Sequence, residues 1–253
     1  MNSRPLNVLI TGAGSGLGRG LSQCMAREGH SVVAADLNLE GAQETVSELG
    51  DATGSCSALA LDVTSDADVA ALDQRPVDVL INNAGLQYVA SLEEFPQATW
   101  DRLIDVMLAG AVRLTRACLP GMRQRGFGRI INIGSIHSLV ASPYKSAYVA
   151  AKHGLLGFSK VVALETGDVD ITINTICPSY IRTPLVDAQI ASQAKAHGIT
   201  EAEVIERIML EPMPKKAFIT VEEVAGAIGF LVSLAARNIT GETITMDGGW
   251  TAR

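Results

Sequence analysis

The apolar run Leu6 to Ile10 passes without a break into Thr11-Gly12-Ala13-Gly14-Ser15-Gly16-Leu17-Gly18, and then into a helix-compatible segment that reaches Arg27. A buried-type strand, a glycine turn and a helix start in that order commit the chain to an α/β sheet. The glycines permit a tight turn and let a pyrophosphate approach free backbone N–H groups at the positive end of the helix dipole. Gly12, Ser15, Gly16, Leu17 and Gly18 are therefore candidate cofactor contacts. A glycine turn alone is a weak signal, and the next strand strengthens it. Ser31 to Ala35 ends at Asp36, the acidic position expected to bond an adenosine ribose. A carboxylate there repels a 2′-phosphate and no arginine follows immediately, so NAD is expected over NADP.

Further strand-like runs follow at βαβ spacing. Cys56 to Leu61 ends in Asp62-Val63, where the carboxylate can meet an adenine amino group or serve as a cap or turn residue. The crossover after it is short: Ser65-Asp66-Ala67-Asp68 starts only two or so helical turns before Pro76, near the minimum of about 10 to 12 residues for a parallel connection. Val77 to Ile81 leads into Asn82-Asn83-Ala84-Gly85, at the strand end where open parallel sheets bind ligands. Asn83 and Gly85 can contact a cofactor there, and Asn83 can equally bridge neighbouring strands. Gln97 to Arg125 is a long amphipathic segment despite Pro120, Arg129 to Ile133 and Ile171 to Cys177 are further strands, and Pro178 turns the chain. Thr183 to Phe218 is polar and broken, and reads as a mobile cover outside the core. Val221 to Ala235 is the last helix and Glu242 to Met246 the last strand. The expectation is one domain over 1–253, with 184–218 as a substrate-covering lid.

Between the fifth and sixth strands lies Ser135 to Lys152, SIHSLVASPYKSAYVAAK. Tyr148 and Lys152 are four apart in a helix-compatible run and so share a face. A tyrosine of pKa about 10 is a weak base at neutral pH, and a nearby ammonium lowers that value. Ser135, just past the fifth strand, can aim its hydroxyl at the same point and hold a substrate oxygen. Tyrosine and lysine at this spacing are common on solvated helix faces, and the pair gains meaning from the dinucleotide-binding N-terminus of the same chain.

The 253 residues, 47% hydrophobic, suffice for one sizeable core, and the net charge of -7 argues against nucleic acid or an anionic membrane as partner. The four cysteines lack metal-ligand spacing and are expected to be buried free thiols, so no metal is expected. No basic segment with a following apolar leader region opens the sequence, and no apolar run reaches about 18 residues, so a cytoplasmic location is expected.

Thr11-Gly12 with Gly16 and Gly18, Asn82-Asn83-Ala84-Gly85, Ser135, Tyr148 with Lys152, and Cys177-Pro178 together resemble the short-chain dehydrogenase/reductase family over nearly the whole chain. The resemblance implies a doubly wound, parallel, seven-stranded sheet of the Rossmann type and a homotetramer built partly through the long helices. It implies Tyr148 as acid/base, Lys152 as its pKa modulator and a ribose ligand, and Ser135 as the group that polarises the substrate oxygen. Pro178, Ile181 and Thr183 would lie along the nicotinamide, with Thr183 at its carboxamide. One departure is Met107, in Met107-Leu108-Ala109-Gly110, where the family usually has an asparagine that helps hold a water leading from the lysine to solvent.

Within the family, Gln87, His137, Lys145 and Gln189 match the substrate-carboxylate ligands of the bacterial D-3-hydroxybutyrate dehydrogenase subgroup. An ammonium, an imidazole and two amides do make a donor-rich anion pocket. Tyr180 follows Ser179 where glycine and tryptophan are expected in that subgroup. The resemblance thus implies NAD-dependent, reversible oxidation of a short 3-hydroxy acid, (R)-3-hydroxybutyrate to acetoacetate, with a small-molecule hydroxy acid or ketone as partner. Two alternatives stay open: a dehydrogenase of another small secondary alcohol, polyol or cyclic ketone, and a nicotinamide-binding sensor or subunit with little turnover, the latter motivated by Met107.

Overall fold

The computed structural model describes residues 4–252, apart from the side chains of residues 73, 74, 184, 185, 188, 192, 196 and 197. Seven strands, β1 (Asn7–Thr11), β2 (Ser31–Asp36), β3 (Ser55–Ala60), β4 (Val79–Asn82), β5 (Phe127–Ile133), β6 (Asp170–Pro178) and β7 (Thr243–Met246), form one sheet in the order β3-β2-β1-β4-β5-β6-β7. Every neighbouring pair is parallel. Chain direction across the sheet reverses between β1 and β4, and that reversal opens a crevice beyond the strand ends. The central strands read as continuous apolar runs because helices cover both faces. Strand bounds fall within about two residues of those expected; β4 begins at Val79 because Asp78 turns its carboxylate to Asn7 N and Nδ2 (3.0 and 2.9 Å) and to Arg125 Nε.

The helices are α1 (Gly16–Arg27), α2 (Leu39–Ser47), α3 (Asp66–Ala70), α4 (Gln97–Ile104), α5 (Gly110–Arg125), α6 (Ser146–Glu165), α7 (Pro184–His197), α8 (Glu201–Val204) and α9 (Val221–Val232). On one face of the sheet, Leu21 and Met25 of α1 and Val224, Ile228 and Leu231 of α9 pack on Val8, Ile10 and Ile81. On the other, Leu103, Leu114, Met122, Ala147 and Ala151 from α4, α5 and α6 pack on Leu9, Leu80 and Ile130. The alternation of Val8, Leu9 and Ile10 between the two clusters is the period-2 pattern of a strand buried on both sides.

Two sequence expectations change. The segment from Gln97 to Arg125 is helical throughout but carries a π-helical turn at Asp105–Ala109, which widens the rod where Met107 meets the sheet. The segment after Thr183 is not outside the core. Val186, Ile190, Val204 and Met209 form a satellite cluster, and Leu210, Met213 and Ile219 join the main core. Its polar residues masked an apolar set spread over three short helical pieces, too few per piece to show a period. The β3–β4 crossover is short as expected: Ser65 caps α3 by accepting from Asp68 N, and a 3₁₀ turn, Ala71–Gln74, ends it. Edge strand β3 is accordingly left with every second side chain exposed at its start.

Candidate active site

The first βα turn builds the floor of the crevice. Gly12 adopts φ +66°, a conformation that L side chains rarely tolerate. Gly18 is pressed so closely against the turn that a Cβ would strike the Gly12 carbonyl oxygen and the Asn83 amide. Gly18 therefore packs α1 closely onto the turn whose Gly12 lines the crevice. The cavity of about 410 Å³ above it is lined by Gly12, Ser15, Gly16, Leu17, Asp36, Asn83, Gly85, Tyr148, Lys152, Pro178, Ile181 and Thr183, which are the other expected contacts save two. Asp62 and Val63 line an adjoining cavity of about 350 Å³, which shares Gly12, Asp36 and Gly85 with the first.

Several of these groups also hold the fold. Asp36 accepts from Gly14 N and Asn38 N, both at 2.8 Å, which fixes its carboxylate at the cavity edge. Asn83 donates from Nδ2 to the Thr11 and Gly12 carbonyls (2.9 and 3.2 Å), so it bridges strands and lines the cavity at once. Asp62 accepts from the Thr64 hydroxyl and N–H at 2.6 and 2.9 Å, and these bonds hold its carboxyl below the usual carboxylate range. It too is both turn residue and wall. A dinucleotide fits the donor set: open backbone at the α1 N-terminus for phosphate, a carboxylate at the β2 end for a ribose, and a cavity that continues to Tyr148.

β5 and α6 bring the three candidate catalytic groups together. Ser135 follows β5 in a reciprocal cap: its Oγ accepts from His137 N at 3.1 Å and its N–H donates to Ser138 Oγ at 3.2 Å. Tyr148 and Lys152 rise from the first turns of α6, and the Lys152 Nζ lies 5.7 Å from the Tyr148 ring centroid. Lys152 is 95% shielded and donates to the Ile133 carbonyl at 2.6 Å. Burial lowers its pKa to about 8. The sequence leads one to expect a lowered Tyr148; instead burial pushes that phenol up, against a smaller opposing pull from the Ser135 hydroxyl. Desolvation disfavours the phenolate more than the Ser135 hydroxyl favours it, and the lysine head is turned toward Ile133.

A smaller cavity of about 110 Å³ opens beside Ser135 and Tyr148, and Gln87, His137, Lys145 and Gln189 all line it, with Ile136, Ser179, Tyr180, Ile181 and Val186. These side chains come from four separate segments. Gln87 follows β4, His137 sits in the turn after β5, Lys145 precedes α6, and Gln189 belongs to α7. The Ala90 N–H donates to the Tyr144 carbonyl at 3.0 Å and so ties the Gln87 loop to the residue before Lys145. Lys145 Nζ lies 3.5 Å from His137 Nε2, and the Ser142 hydroxyl 3.4 Å from the same nitrogen. Burial, and then the Lys145 charge, push His137 down to about 4. Its imidazole is neutral at pH 7, with Nε2 as acceptor of the ammonium. Burial also lowers Lys145.

The family model described as enoyl-(acyl carrier protein) reductase matches residues 12–251. The D-beta-hydroxybutyrate dehydrogenase of Rhizobium meliloti is 43% identical over 97% of this chain and 98% of its own. That of Cupriavidus necator is 40% identical over 97% of both chains. Among solved structures, an oxidoreductase of the short-chain dehydrogenase/reductase family from Burkholderia thailandensis superposes with a TM-score of 0.89 at 34% identity, over 99% of this chain and 94% of that one. The chain belongs to the short-chain dehydrogenase/reductase family. It is an oxidoreductase of that family, with the family's doubly wound sheet.

This family member has site residues that sequence reasoning missed. Trp250 stacks on Tyr180 (ring centroids 6.2 Å, 27° between planes) and meets His137 edge-on at 6.2 Å. Its signal was only a tryptophan after Asp247-Gly248-Gly249; β7 carries it back beside β6. Ser138 completes the cap on Ser135, and Arg102 of α4 joins the Asp62 cavity while donating to Thr64 Oγ1 at 3.1 Å. Met107 is buried and borders a void of about 10 Å³ with Thr11, Asn82 and Lys152. Among the described residues, no helix is long and apolar enough to cross a membrane.

Proposed function

We propose that this oxidoreductase uses NAD to oxidise a short 3-hydroxy acid reversibly, with (R)-3-hydroxybutyrate to acetoacetate as the simplest case. The observation that carries the reading is the convergence of Gln87, His137, Lys145 and Gln189 with Ser135 and Tyr148 on one 110 Å³ cavity. A single ammonium beside a neutral imidazole and two amides suits one carboxylate, and the small volume suits a short acid. Two relatives carrying the name D-beta-hydroxybutyrate dehydrogenase support it.

When bound, the oxidised nicotinamide accepts hydride. The chain's own groups do the rest: Lys145, Gln87 and Gln189 hold the carboxylate, with the Lys145 ammonium positioned by His137 Nε2, and this fixes which carbon faces the crevice. Ser135 steadies the oxygen as it becomes a carbonyl, and Tyr148 Oη takes the hydroxyl proton. Lys152, held by the Ile133 carbonyl, keeps a positive charge beside that phenol. The segment 184–218 covers the pocket, supported by Val186 and Gln189 of α7 in its wall. Asp36 at the end of β2 supports NAD over NADP, and Arg19, the cation nearest the turn in sequence, is occupied by Glu44 and Glu48 (2.8 and 3.1 Å). The reading includes a cytoplasmic homotetramer, supported by the exposed Val161 and Leu164 on α6.

The test is NADH formation with each enantiomer of 3-hydroxybutyrate, with NADP and uncharged secondary alcohols, polyols and cyclic alcohols in parallel. Turnover of one enantiomer with NAD alone is expected. Faster turnover of the uncharged alcohols would replace the hydroxy acid by one of them, and NADH binding without turnover on any would leave a sensor.

A further inference from the structure

Tyr180 stands at the start of the covering segment, and its ring is fixed from several sides. Trp250 stacks on it, its own carbonyl accepts from Ile219 N at 2.9 Å, and it packs against both the main core and the satellite cluster of α7. The rest of that wall of the 110 Å³ cavity is apolar, with Ile181 and Val186 beside it. Among the described residues, nothing hydrogen-bonds the Tyr180 hydroxyl. It is close enough to Tyr148 to contribute to the rise of that phenol's pKa. A rigidly held ring in the wall that also holds Ser135 and Tyr148 thus carries a hydroxyl with no hydrogen-bond partner among the described residues. Lys145, the cation suited to the carboxylate, is already placed by His137 Nε2, which also meets the Ser142 hydroxyl.

We propose that the Tyr180 hydroxyl is a specificity-determining substrate contact, and that the pocket selects 3-hydroxy acids bearing a second hydroxyl on the carbon beyond the carbinol. The inference rests on the hydroxy-acid reading above and narrows its substrate class. An unsubstituted four-carbon acid offers this hydroxyl no partner beyond the carbinol, whereas 3,4-dihydroxybutyrate offers it one. The reaction is otherwise unchanged. The C3–H bond breaks with its electron pair going as hydride to the oxidised nicotinamide, the C3 hydroxyl proton goes to Tyr148, and C3–O becomes a carbonyl while the C4 hydroxyl is retained.

The experiment compares kcat/KM for 3,4-dihydroxybutyrate and 3-hydroxybutyrate, both enantiomers of each, in the unaltered protein and in Tyr180→Phe and Tyr180→Trp. In the unaltered protein the ratio of dihydroxy to monohydroxy acid is expected above unity. Tyr180→Phe removes only the hydroxyl and should lower that ratio by about tenfold, the size of one lost neutral hydrogen bond. Tyr180→Trp should lower it as well. A ratio below unity in the unaltered protein, or one that Tyr180→Phe leaves within about twofold, would overturn the assignment while the hydroxy-acid reading stood. Equal losses on both acids would make Tyr180 a carboxylate or packing residue and overturn it too. Silence on every hydroxy acid, with NADH still bound, would remove the broader reading and this inference together.

Discussion

The ammonium of Lys152 lies 5.7 Å from the centroid of the Tyr148 ring, yet its hydrogen bond goes to the Ile133 carbonyl. Burial pushes the pKa of that phenol up, while the ammonium's hydrogen bond is taken by the end of β5. Oxidation needs the phenolate, so its rate should rise with pH from neutrality. Removing the charge in Lys152→Met should raise the Tyr148 pKa further and move the pH–rate midpoint of kcat to higher pH. Tyr148→Phe should lower kcat by about 10²- to 10⁴-fold, with NADH still bound in a fluorescence titration. An unmoved midpoint in Lys152→Met would remove the electrostatic role.

His137 and Lys145 form the second coupled pair. With His137 lowered to about 4, the imidazole does not change charge between pH 5 and 7.5, so KM for a hydroxy acid should be flat there. It should climb on the alkaline side, where Lys145, itself lowered by burial, loses its proton. Lys145→Ala should raise KM for carboxylate substrates by roughly 10- to 100-fold, the equivalent of a charged hydrogen bond of about 1.5–3 kcal/mol. An inflection of KM near pH 6.5 would show that His137 titrates in the ordinary range.

The same lowered imidazole sets a stability dependence. The unfolded chain binds a proton at His137 near its ordinary value of 6.5, and the folded chain binds it only near 4. More protons are bound by the unfolded state in between, so this contribution to stability is complete above 6.5 and is lost as pH falls toward 4. His137→Gln should flatten the dependence of the thermal midpoint across that window. An equally steep slope in the variant would place the titrating group elsewhere.

Local grammar made the scaffold legible. The run from Leu6 to Gly18 announces strand, turn and helix; Tyr148 and Lys152 share a face by spacing alone; and Ser65 caps a helix that Pro76 ends. What stayed hidden depends on groups distant in sequence. Trp250 reaches His137 only because β7 pairs with β6, and the apolar residues of the covering segment meet only once α7 and α8 fold together. The direction of the Tyr148 shift was missed because spacing reports proximity to a charge and says nothing of the desolvation around it. A glycine gives the same sequence signal for admitting a ligand as for admitting a neighbouring backbone, and at Gly18 the backbone of Gly12 lies that close.

Asp36 ties cofactor choice to local stability. Its carboxylate holds Gly14 N and Asn38 N while its charge faces the crevice. Asp36→Ala should cut the NAD over NADP ratio of kcat/KM by about tenfold or more, since about 1.4 kcal/mol of lost repulsion or ribose bonding is enough. It should also lower the urea midpoint, because two backbone donors lose their acceptor. An unchanged cofactor ratio with a lowered midpoint would leave Asp36 as a turn residue alone.

Met107 is 2% exposed and packs in the cluster with Val106, Leu114 and Leu103. Met107→Ala should therefore cost about 2–5 kcal/mol in urea unfolding, as the loss of a buried side chain that leaves a cavity. Met107→Asn removes similar apolar contact and adds a polar group, which ordinarily costs more. Here the side chain borders the same small void as Asn82, whose Oδ1 is buried without a hydrogen-bond partner. An amide at 107 brings a donor to that oxygen, so Met107→Asn should be more stable than Met107→Ala. Doubling with Asn82→Leu, which removes the acceptor, should abolish the difference. If Met107→Asn proves the less stable of the two single variants, the amide does not reach Asn82.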